Sequence, residues 1–244
     1  MLTRVPSHDM NDNPLLFIWN YYAFNDAVSF AVCVLLLALY HLWIRYKVRH
    51  NPTYTVQAIN RIARTAWVET MMSSGKPDVI SVQTLRNSTM AATFLASTAV
   101  LLILGVMTLS GQGDKLGSTW HALNAFGATD AELFIVKVIM LLLDLFTVFF
   151  SFTMAVRVYN HVGYLINVPS SLNHKSLTPQ HVAVHLNRAG KYYSIGMRAF
   201  YFIVPLIFWL FGPLFMLMST LMLIVVLFWV DRAPDLATED SHKN

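Results

Sequence analysis

The sequence has few charged residues: Asp, Glu, Lys and Arg make up 12% of its 244 residues, about half the share of a typical soluble domain. Apolar residues account for 56%, so too few polar side chains remain to cover a soluble globule of this size. The one cysteine, Cys33, excludes an internal disulfide framework. The composition therefore excludes a disordered chain and a disulfide scaffold, and it places the protein in a lipid bilayer.

Sequence motifs of soluble enzymes are also absent. There is no glycine-rich phosphate loop, no GxSxG nucleophile motif and no pair of carboxylates at a catalytic spacing. The sequence therefore favours a non-enzymatic role and predicts no cofactor. A net charge of +4 can indicate a nucleic-acid partner, but here the basic residues are concentrated in two loops. We interpret them as determinants of membrane orientation and expect no nucleic-acid partner.

Four long apolar segments predict four transmembrane helices, since a spanning helix needs about 20 mostly apolar residues. The predicted spans cover residues 24–44, 88–109, 132–156 and 199–230. Pro205 and Gly212–Pro213 predict a kink or break within the last of these. The predicted fold class is an all-α membrane protein, with one domain over residues 1–230 and a polar, mobile tail over residues 231–244.

Lys and Arg residues predict the orientation of these spans. The loops 45–86 and 157–198 hold twelve of them, against four on the other side, so both loops are expected in the cytoplasm and both chain ends outside. Each loop also predicts an amphipathic helix at the cytoplasmic membrane surface. One is expected over residues 55–72, and the other follows Thr178–Pro179, an N-cap with proline at the first helical position. The predicted apolar face of the first helix consists of Val56, Ile59, Ala63, Ala66, Trp67 and Thr70.

Asp144 is the most informative single residue. It lies about 18 Å along the third predicted span, where a carboxylate costs at least about 2.5–3.5 kcal/mol. One interpretation is an ion or proton site; the other, which we favour, is a polar clamp between helices or subunits. Lys137 lies two turns earlier on the same face, and on its own it is expected to reach the membrane surface. Residues at a similar depth that could surround Asp144 are Cys33, Ser97, Thr98, Ser219 and Thr220.

A second group of candidates lies where the predicted spans meet the cytoplasm. Arg and Asn side chains there predict a pocket for anionic lipid headgroups, because arginine favours planar partners such as phosphate. The alternative is ordinary anchoring by positive charge. These candidates are His41, Arg86, Asn87, Arg157, Asn160 and Arg198.

His181 and His185 lie four residues apart on a predicted helix and therefore share a face. A metal site needs three or four converging ligands, and no cysteine or carboxylate stands at a matching spacing. No metal site is therefore predicted from this pair. Haem ligation by His41 or His161 is a less favoured alternative.

Several longer strings resemble an uncharacterised family of small membrane proteins from bacteria and plants, "domain of unknown function 599". They are YHLW at 40–43, QTLRNS at 83–88, RVYNH at 157–161 and the segment 196–213, which ends in FGP. The similarity covers roughly residues 24–230. It implies a four-span α-helical protein of the bacterial inner membrane, and it implies no known activity.

Three functions follow as hypotheses. The favoured one is a non-enzymatic accessory or scaffold subunit of a membrane assembly or homo-oligomer, with another membrane protein or a second copy as its partner. The second is a small transporter or channel that uses Asp144. The third is a membrane enzyme or anionic-lipid-handling protein that uses the Arg, Asn and His residues at the cytoplasmic surface.

Overall fold

The computed structural model describes residues 14–74, 79–111, 131–168, 174 and 177–233, with side chains from residue 24 in the first helix and residue 133 in the fourth. Most of the predicted tail, residues 234–244, lies outside the described residues. Five of the six helices in the described part are long and apolar enough to cross a membrane, and α2 is the exception. The helices are α1 (Pro14–His50), α2 (Val56–Ser73), α3 (Val79–Ser110), α4 (Ala131–Leu165), α5 (Pro179–Phe211) and α6 (Pro213–Asp231).

The apolar run 199–230, a single span by sequence, forms parts of two helices. Gly212 has φ 143°, which side chains other than that of glycine rarely allow. Pro213 then begins α6, and it has no backbone N–H to continue α5. Across the break, Arg198 Nη2 lies 3.2 Å from Asp231 Oδ2, so α5 and α6 form an antiparallel hairpin. The predicted break is confirmed, but it reverses the chain direction.

The end of α6 lies beside the end of α1. The Tyr40 hydroxyl donates to Asp231 Oδ2 at 3.1 Å, and Ala233 N donates to Tyr54 O at 3.1 Å. Since α6 therefore runs parallel to α1, residues 24 and 231 lie at opposite ends of the bundle. This arrangement differs from the predicted four spans, in which the last span ends on the side where the first begins, because hydropathy alone does not reveal that the run 199–230 turns back. We call the end of the bundle that carries α2 the α2 end, and the opposite end, at Gly212, the hairpin end.

The predicted N-cap of the second surface helix is confirmed. The Thr178 side chain accepts a hydrogen bond from the backbone N–H three residues further on, and Thr55 caps α2 in the same way. The helix that Thr178 begins is not a separate surface helix. It continues without interruption through Pro205 to Phe211, so the first half of α5 extends an apolar helix at the α2 end.

The face of α2 that packs against the other helices is not the apolar face that the sequence indicates. Val68 and Met72 are buried, with Trp67 and Met71 packed against the core. On the side that faces α5, the half-buried Arg64 donates a hydrogen bond to the Asn187 amide oxygen. Residues of the predicted face that are exposed instead are Ile59, Ala63, Ala66 and Thr70.

The core is centred on α4, which packs between α3 and α5. Phe152 of α4 is fully buried, and a Cβ on Gly196 of α5 would lie 2.9 Å from its ring. On the other side, α3 presents Ala92, Ala96 and Ala99, all buried. Small residues at these positions let the helix backbones approach closely, which is typical of packing within a membrane.

Candidate functional site

A buried ion pair lies near the hairpin end. Lys137 Nζ on α4 is 3.1 Å from Asp26 Oδ2 on α1, and the two side chains expose 3% and 2% of their surface. Trp209 Nε1 on α5 donates to Asp26 Oδ1 at 3.1 Å. The expectation that Lys137 reaches the membrane surface is wrong, because Asp26 supplies a counter-charge inside the bundle. Sequence reasoning misses Asp26, which borders the first apolar run. Lys137 could have indicated it, because a lysine inside a span with no acid on its own helix turn needs an acidic partner on another helix.

Asp144 lies on α4 two turns from this ion pair. It stands between the exposed Leu143 and the buried Leu145, and it is itself half-buried. Its Oδ2 atom is buried and has no hydrogen-bond partner among the described residues. A buried polar atom without a partner is destabilising by about 1–3 kcal/mol, and more when it is charged. Asp144 is therefore an unsatisfied polar group in the middle of a candidate membrane span.

The other predicted intramembrane polar residues form their hydrogen bonds elsewhere. Thr220 on α6 donates to Cys33 Sγ on α1 at 3.3 Å. Ser219 and Thr98 each donate to a backbone carbonyl of their own helix at 2.9 Å, and Ser97 is exposed. Among the described residues, no hydrogen bond connects any of them to the α4 carboxylate.

Arg198, a predicted anion-binding residue, has an acidic partner within the chain. Its Nη2 atom lies 3.2 Å from Asp231 Oδ2, and the Tyr40 hydroxyl donates to the same oxygen. These three side chains connect α5, α6 and α1 at the α2 end. The neighbouring His41 is also engaged, because its Nδ1 lies 2.8 Å from Leu37 O in its own helix.

A polar contact joins α2 to α5. Arg64 Nε donates to Asn187 Oδ1 at 3.0 Å, and Asn187 Nδ2 donates to Thr65 Oγ1 at 3.0 Å. The guanidinium covers Gly190, where a Cβ would stand 2.6 Å from Arg64 Cζ. Burial lowers the pKa of the Arg64 guanidinium, and the nearby Tyr159 acts in the opposite direction. Sequence reasoning places Arg64 off the buried face and so does not identify this contact.

Two of the predicted cytoplasmic residues line one groove between α3 and α4. Arg86 and Asn160 are both exposed in this groove of about 300 Å³, whose walls include Leu85, Met90 and Tyr159. The groove therefore combines a guanidinium and an amide with apolar walls at the α2 end.

The other two exposed candidates flank this groove along the chain. Asn87 follows Arg86 on α3, and Arg157 lies one turn before Asn160 on α4; both are exposed. They do not belong to the groove lining. Five of the six predicted residues are thus divided among the groove, its flanks and the contact of Arg198 with Asp231, and His41 bonds within its own helix.

Three histidines meet between α4 and α5 at the α2 end. The Nε2 atoms of His181 and His185 are 3.1 Å apart on α5, and the ring centroid of His161 on α4 lies 5.0 Å from that of His185. In the part of the chain that the structure describes, no group of three or more His, Cys, Asp or Glu residues could hold a metal ion. Sequence spacing identifies the α5 pair, and the antiparallel packing of α4 and α5 adds His161.

Comparison with known proteins agrees with the resemblance in the sequence. A family model described as "Protein of unknown function, DUF599" matches residues 28–236. No curated protein and no solved structure matches the chain. The family match includes all of α2 to α6 and most of α1, and with them nearly every contact described above. The chain therefore belongs to the DUF599 family.

Proposed function

We propose that the protein crosses its membrane five times, through α1, α3, α4, α5 and α6, with the α2 end in the cytoplasm. The charge distribution supports this orientation. Because α6 ends at the α2 end, we count Arg232 and Lys243 with the two basic loops. This side then holds fourteen of the seventeen Lys and Arg residues. The opposite side keeps Arg4 and Lys115, and Lys137 lies within a helix. Positive charge stays on the cytoplasmic side of membrane proteins. From the family resemblance, we assign the protein to the bacterial inner membrane.

The lengths of the helices agree with this arrangement. At 1.5 Å per residue, α3, α4 and α5 are each about 50 Å long, which exceeds a hydrocarbon core of about 30 Å. Their charged residues lie mainly toward the α2 end, including Arg86, Arg157 and Arg188. The extra length therefore projects into the cytoplasm, where α2 packs against it.

For the function, we propose a non-enzymatic subunit of a membrane assembly that associates with a second copy of itself through the α4 face around Asp144. The observation that carries this proposal is the buried Oδ2 atom of Asp144 without a partner. A carboxylate in this position is destabilising by about 2.5–3.5 kcal/mol or more. A polar group from a neighbouring subunit that bonds the accessible part of this half-buried carboxylate reduces the penalty, and polar side chains between helices stabilise association in membranes.

The surface around Asp144 is available to a neighbour. Met140, Leu143 and Thr147 are exposed on α4, and Asp144 itself is half-buried. Thr147 donates to Leu143 O within α4 at 2.9 Å, so its hydroxyl is already satisfied. Asp144 is thus the group on this surface that gains most from a second chain.

Native mass spectrometry of the full-length protein in lipid nanodiscs tests this proposal. We expect a dimer or larger homo-oligomer for the natural sequence and for the control Thr147→Val, which changes the same face without touching the carboxylate. Asp144→Leu should give mainly monomer, and Asp144→Asn a smaller loss because an amide still forms hydrogen bonds. Unchanged oligomers with Asp144→Leu contradict the proposal. A foreign subunit that copurifies, and is lost with Asp144→Leu, identifies a heteromeric assembly instead.

A transport function uses the same carboxylate in a different way. In that case Asp144→Asn abolishes ion flux into proteoliposomes and leaves the oligomer mass unchanged. Because assembly and flux are measured on the same variant, the two functions are distinguished directly.

The groove between α3 and α4 favours binding of anionic lipid as a second candidate function. Arg86 offers a bidentate partner for a phosphate group, Asn160 offers further hydrogen bonds, and the apolar walls accommodate an acyl chain. In the proposed orientation the groove faces the cytoplasmic leaflet, where lysine and arginine clusters attract anionic lipids.

Retention of phosphatidylglycerol during native mass spectrometry tests this second candidate. Arg86→Gln should reduce the fraction of protein that carries lipid. Arg157→Gln removes an equal charge from the flank of the groove and should leave that fraction close to the natural level. Equal losses in the two variants indicate general charge attraction, and they contradict a specific site.

A further inference from the structure

We propose that Gly163 determines which lipid the groove between α3 and α4 accepts. Its missing side chain admits the phosphate of an anionic phospholipid whose headgroup carries no ammonium, such as phosphatidylglycerol, and the groove disfavours a zwitterionic lipid. This inference rests on the second candidate function, which assigns anionic lipid to the groove. It adds a residue that controls access to Arg86 and a class of headgroup.

Gly163 lies level with Arg86 across the groove. Ser81, near the beginning of α3, donates from its hydroxyl to Asn167 Oδ1, just after the end of α4, at 3.2 Å. The two packed helices are therefore antiparallel, and five residues forward on α3 correspond to about the same distance as four residues back on α4. These steps bring Arg86 beside Gly163, and both residues line the groove.

Open space lies where a side chain of residue 163 would stand. A Cβ on Gly163 meets nothing within 4 Å, whereas a Cβ on Gly196 of α5 would lie 2.9 Å from the Phe152 ring. Packing of the helices therefore does not require glycine at position 163, although glycine weakens a helix relative to alanine. The missing side chain instead leaves room beside Arg86, so a phosphate group can approach the guanidinium from the α4 side.

The depth of Arg86 in the membrane matches a lipid phosphate. From Met90 to Ser110, α3 carries no charged residue, and this stretch is about 30 Å long, as thick as a hydrocarbon core. Arg86 lies one turn outside it, about 6 Å from Met90 along the helix axis, within a headgroup layer of about 5–7 Å. In the proposed orientation, the guanidinium therefore meets the phosphate and Met90 meets the first part of an acyl chain.

The charges around the groove favour a headgroup without an ammonium. Among the described residues that line the groove, none is Asp or Glu, and α3 contains no acidic residue. Asp144 lies about 24 Å from Asn160 along α4. An ammonium group would thus share the groove with Arg86 and find no carboxylate there, and like charges disfavour that lipid. The Asn160 amide can both donate to and accept from the hydroxyls of a glycerol headgroup.

Lipid titration followed by native mass spectrometry of the full-length protein in detergent tests the proposal. The probes are phosphatidylglycerol and phosphatidylethanolamine with the same acyl chains. We expect the natural protein to prefer phosphatidylglycerol, and Gly163→Leu to weaken that binding by at least about tenfold, the effect of losing one charge-assisted hydrogen bond. Binding of phosphatidylethanolamine should stay weak and unchanged.

Gly105→Leu is the matched control. Gly105 lies on α3, a Cβ there also meets nothing within 4 Å, and it is not among the groove residues, so this variant should bind lipid as the natural protein does. Thermal unfolding should be alike for the two leucine variants. A lower unfolding temperature for Gly163→Leu alone overturns the proposal, because position 163 would then not be open.

The outcomes separate this inference from the function on which it rests. Equal binding of phosphatidylglycerol by Gly163→Leu and the natural protein overturns the role of Gly163. Equal affinity of the natural protein for the two lipids overturns the class of headgroup. In both cases the second candidate function stands if Arg86→Gln still weakens binding. If Arg86→Gln binds as the natural protein does, that function and this inference are both overturned.

Discussion

Lys137 and Asp26 neutralise each other inside the bundle, with Nζ and Oδ2 3.1 Å apart and both side chains almost fully buried. Neither residue has access to water that would replace its partner. The pair therefore connects α1 to α4 near the hairpin end, and Trp209 extends the connection to α5. Its contribution to stability depends on both members, because removal of one leaves the other charge buried and alone.

The change Lys137→Met should reduce the free energy of unfolding by about 3–5 kcal/mol, the range observed when one member of a buried ion pair is removed. The double change Asp26→Leu with Lys137→Met should recover most of this loss, because no buried charge remains. Thermal unfolding in detergent, followed by circular dichroism, measures both values. A double variant that is less stable than the single one contradicts the assignment of the ion pair.

Replacement of Gly190 by alanine tests the packing of α2 against α5. The new Cβ would lie 2.6 Å from Arg64 Cζ, so the guanidinium must move and its hydrogen bond to Asn187 is weakened. We expect a loss of about 0.5–1.5 kcal/mol, the size of the weakened hydrogen bond, because the atoms in the way are the far end of a flexible side chain. Gly163→Ala is the matched control, since a Cβ there meets nothing within 4 Å. Arg64→Ala should make the Gly190 change nearly neutral, and full additivity of the two changes contradicts the contact.

The hydroxyl of Tyr40 should contribute to the contact of α1 with α6. Tyr40→Phe removes its hydrogen bond to Asp231 and keeps the ring, so we expect a loss of about 0.5–1.5 kcal/mol. Tyr46→Phe is the control, because that side chain is 60% exposed. Chemical denaturation of the two variants under the same conditions gives the comparison, and equal losses refute a specific role for the Tyr40 hydroxyl.

Cysteine labelling tests the five-span orientation. Three single cysteines are introduced in a Cys33→Ser background. Ser110→Cys marks the last residue of α3, Glu69→Cys the exposed side of α2, and Arg232→Cys the residue after α6. A membrane-impermeant thiol reagent should label residue 110 in intact cells. It should label residues 69 and 232 only after permeabilisation. Labelling of residue 232 in intact cells contradicts the proposed side of α6.

The apolar runs predict four spans, whereas five of the described helices are long and apolar enough to cross a membrane. Hydropathy locates α1, α3 and α4 well, because each is a single run that ends in polar residues. It does not separate α5 from α6, because Gly212 and Pro213 reverse the chain without adding a polar side chain. The arrangement of the helices at the C-terminal end depends on that single reversal, which is why the sequence does not predict where α6 ends.

The sequence identifies the candidate residues whose position depends on one helix, and it misses the contacts that depend on how different helices pack. Asp144 and the pair His181 and His185 are identified from the sequence, since depth in a span and spacing on one helix are local properties. The partners of Lys137 and Arg198 are not, because Asp26 and Asp231 reach them only through the packing of different helices. Periodicity indicates the apolar face of α2 but does not reveal its contact with α5, where the half-buried Arg64 donates a hydrogen bond to Asn187.

The short backbone bridge between Thr55 and Arg232 has a consequence for biosynthesis. It joins the beginning of α2 to a residue that the ribosome adds after all six helices, so this contact forms only when the rest of the chain has been made. A chain that stops before α6 would lack both this bridge and the Asp231 contacts. Completion of the last helix therefore adds contacts to α1 and to the beginning of α2 that no earlier helix supplies.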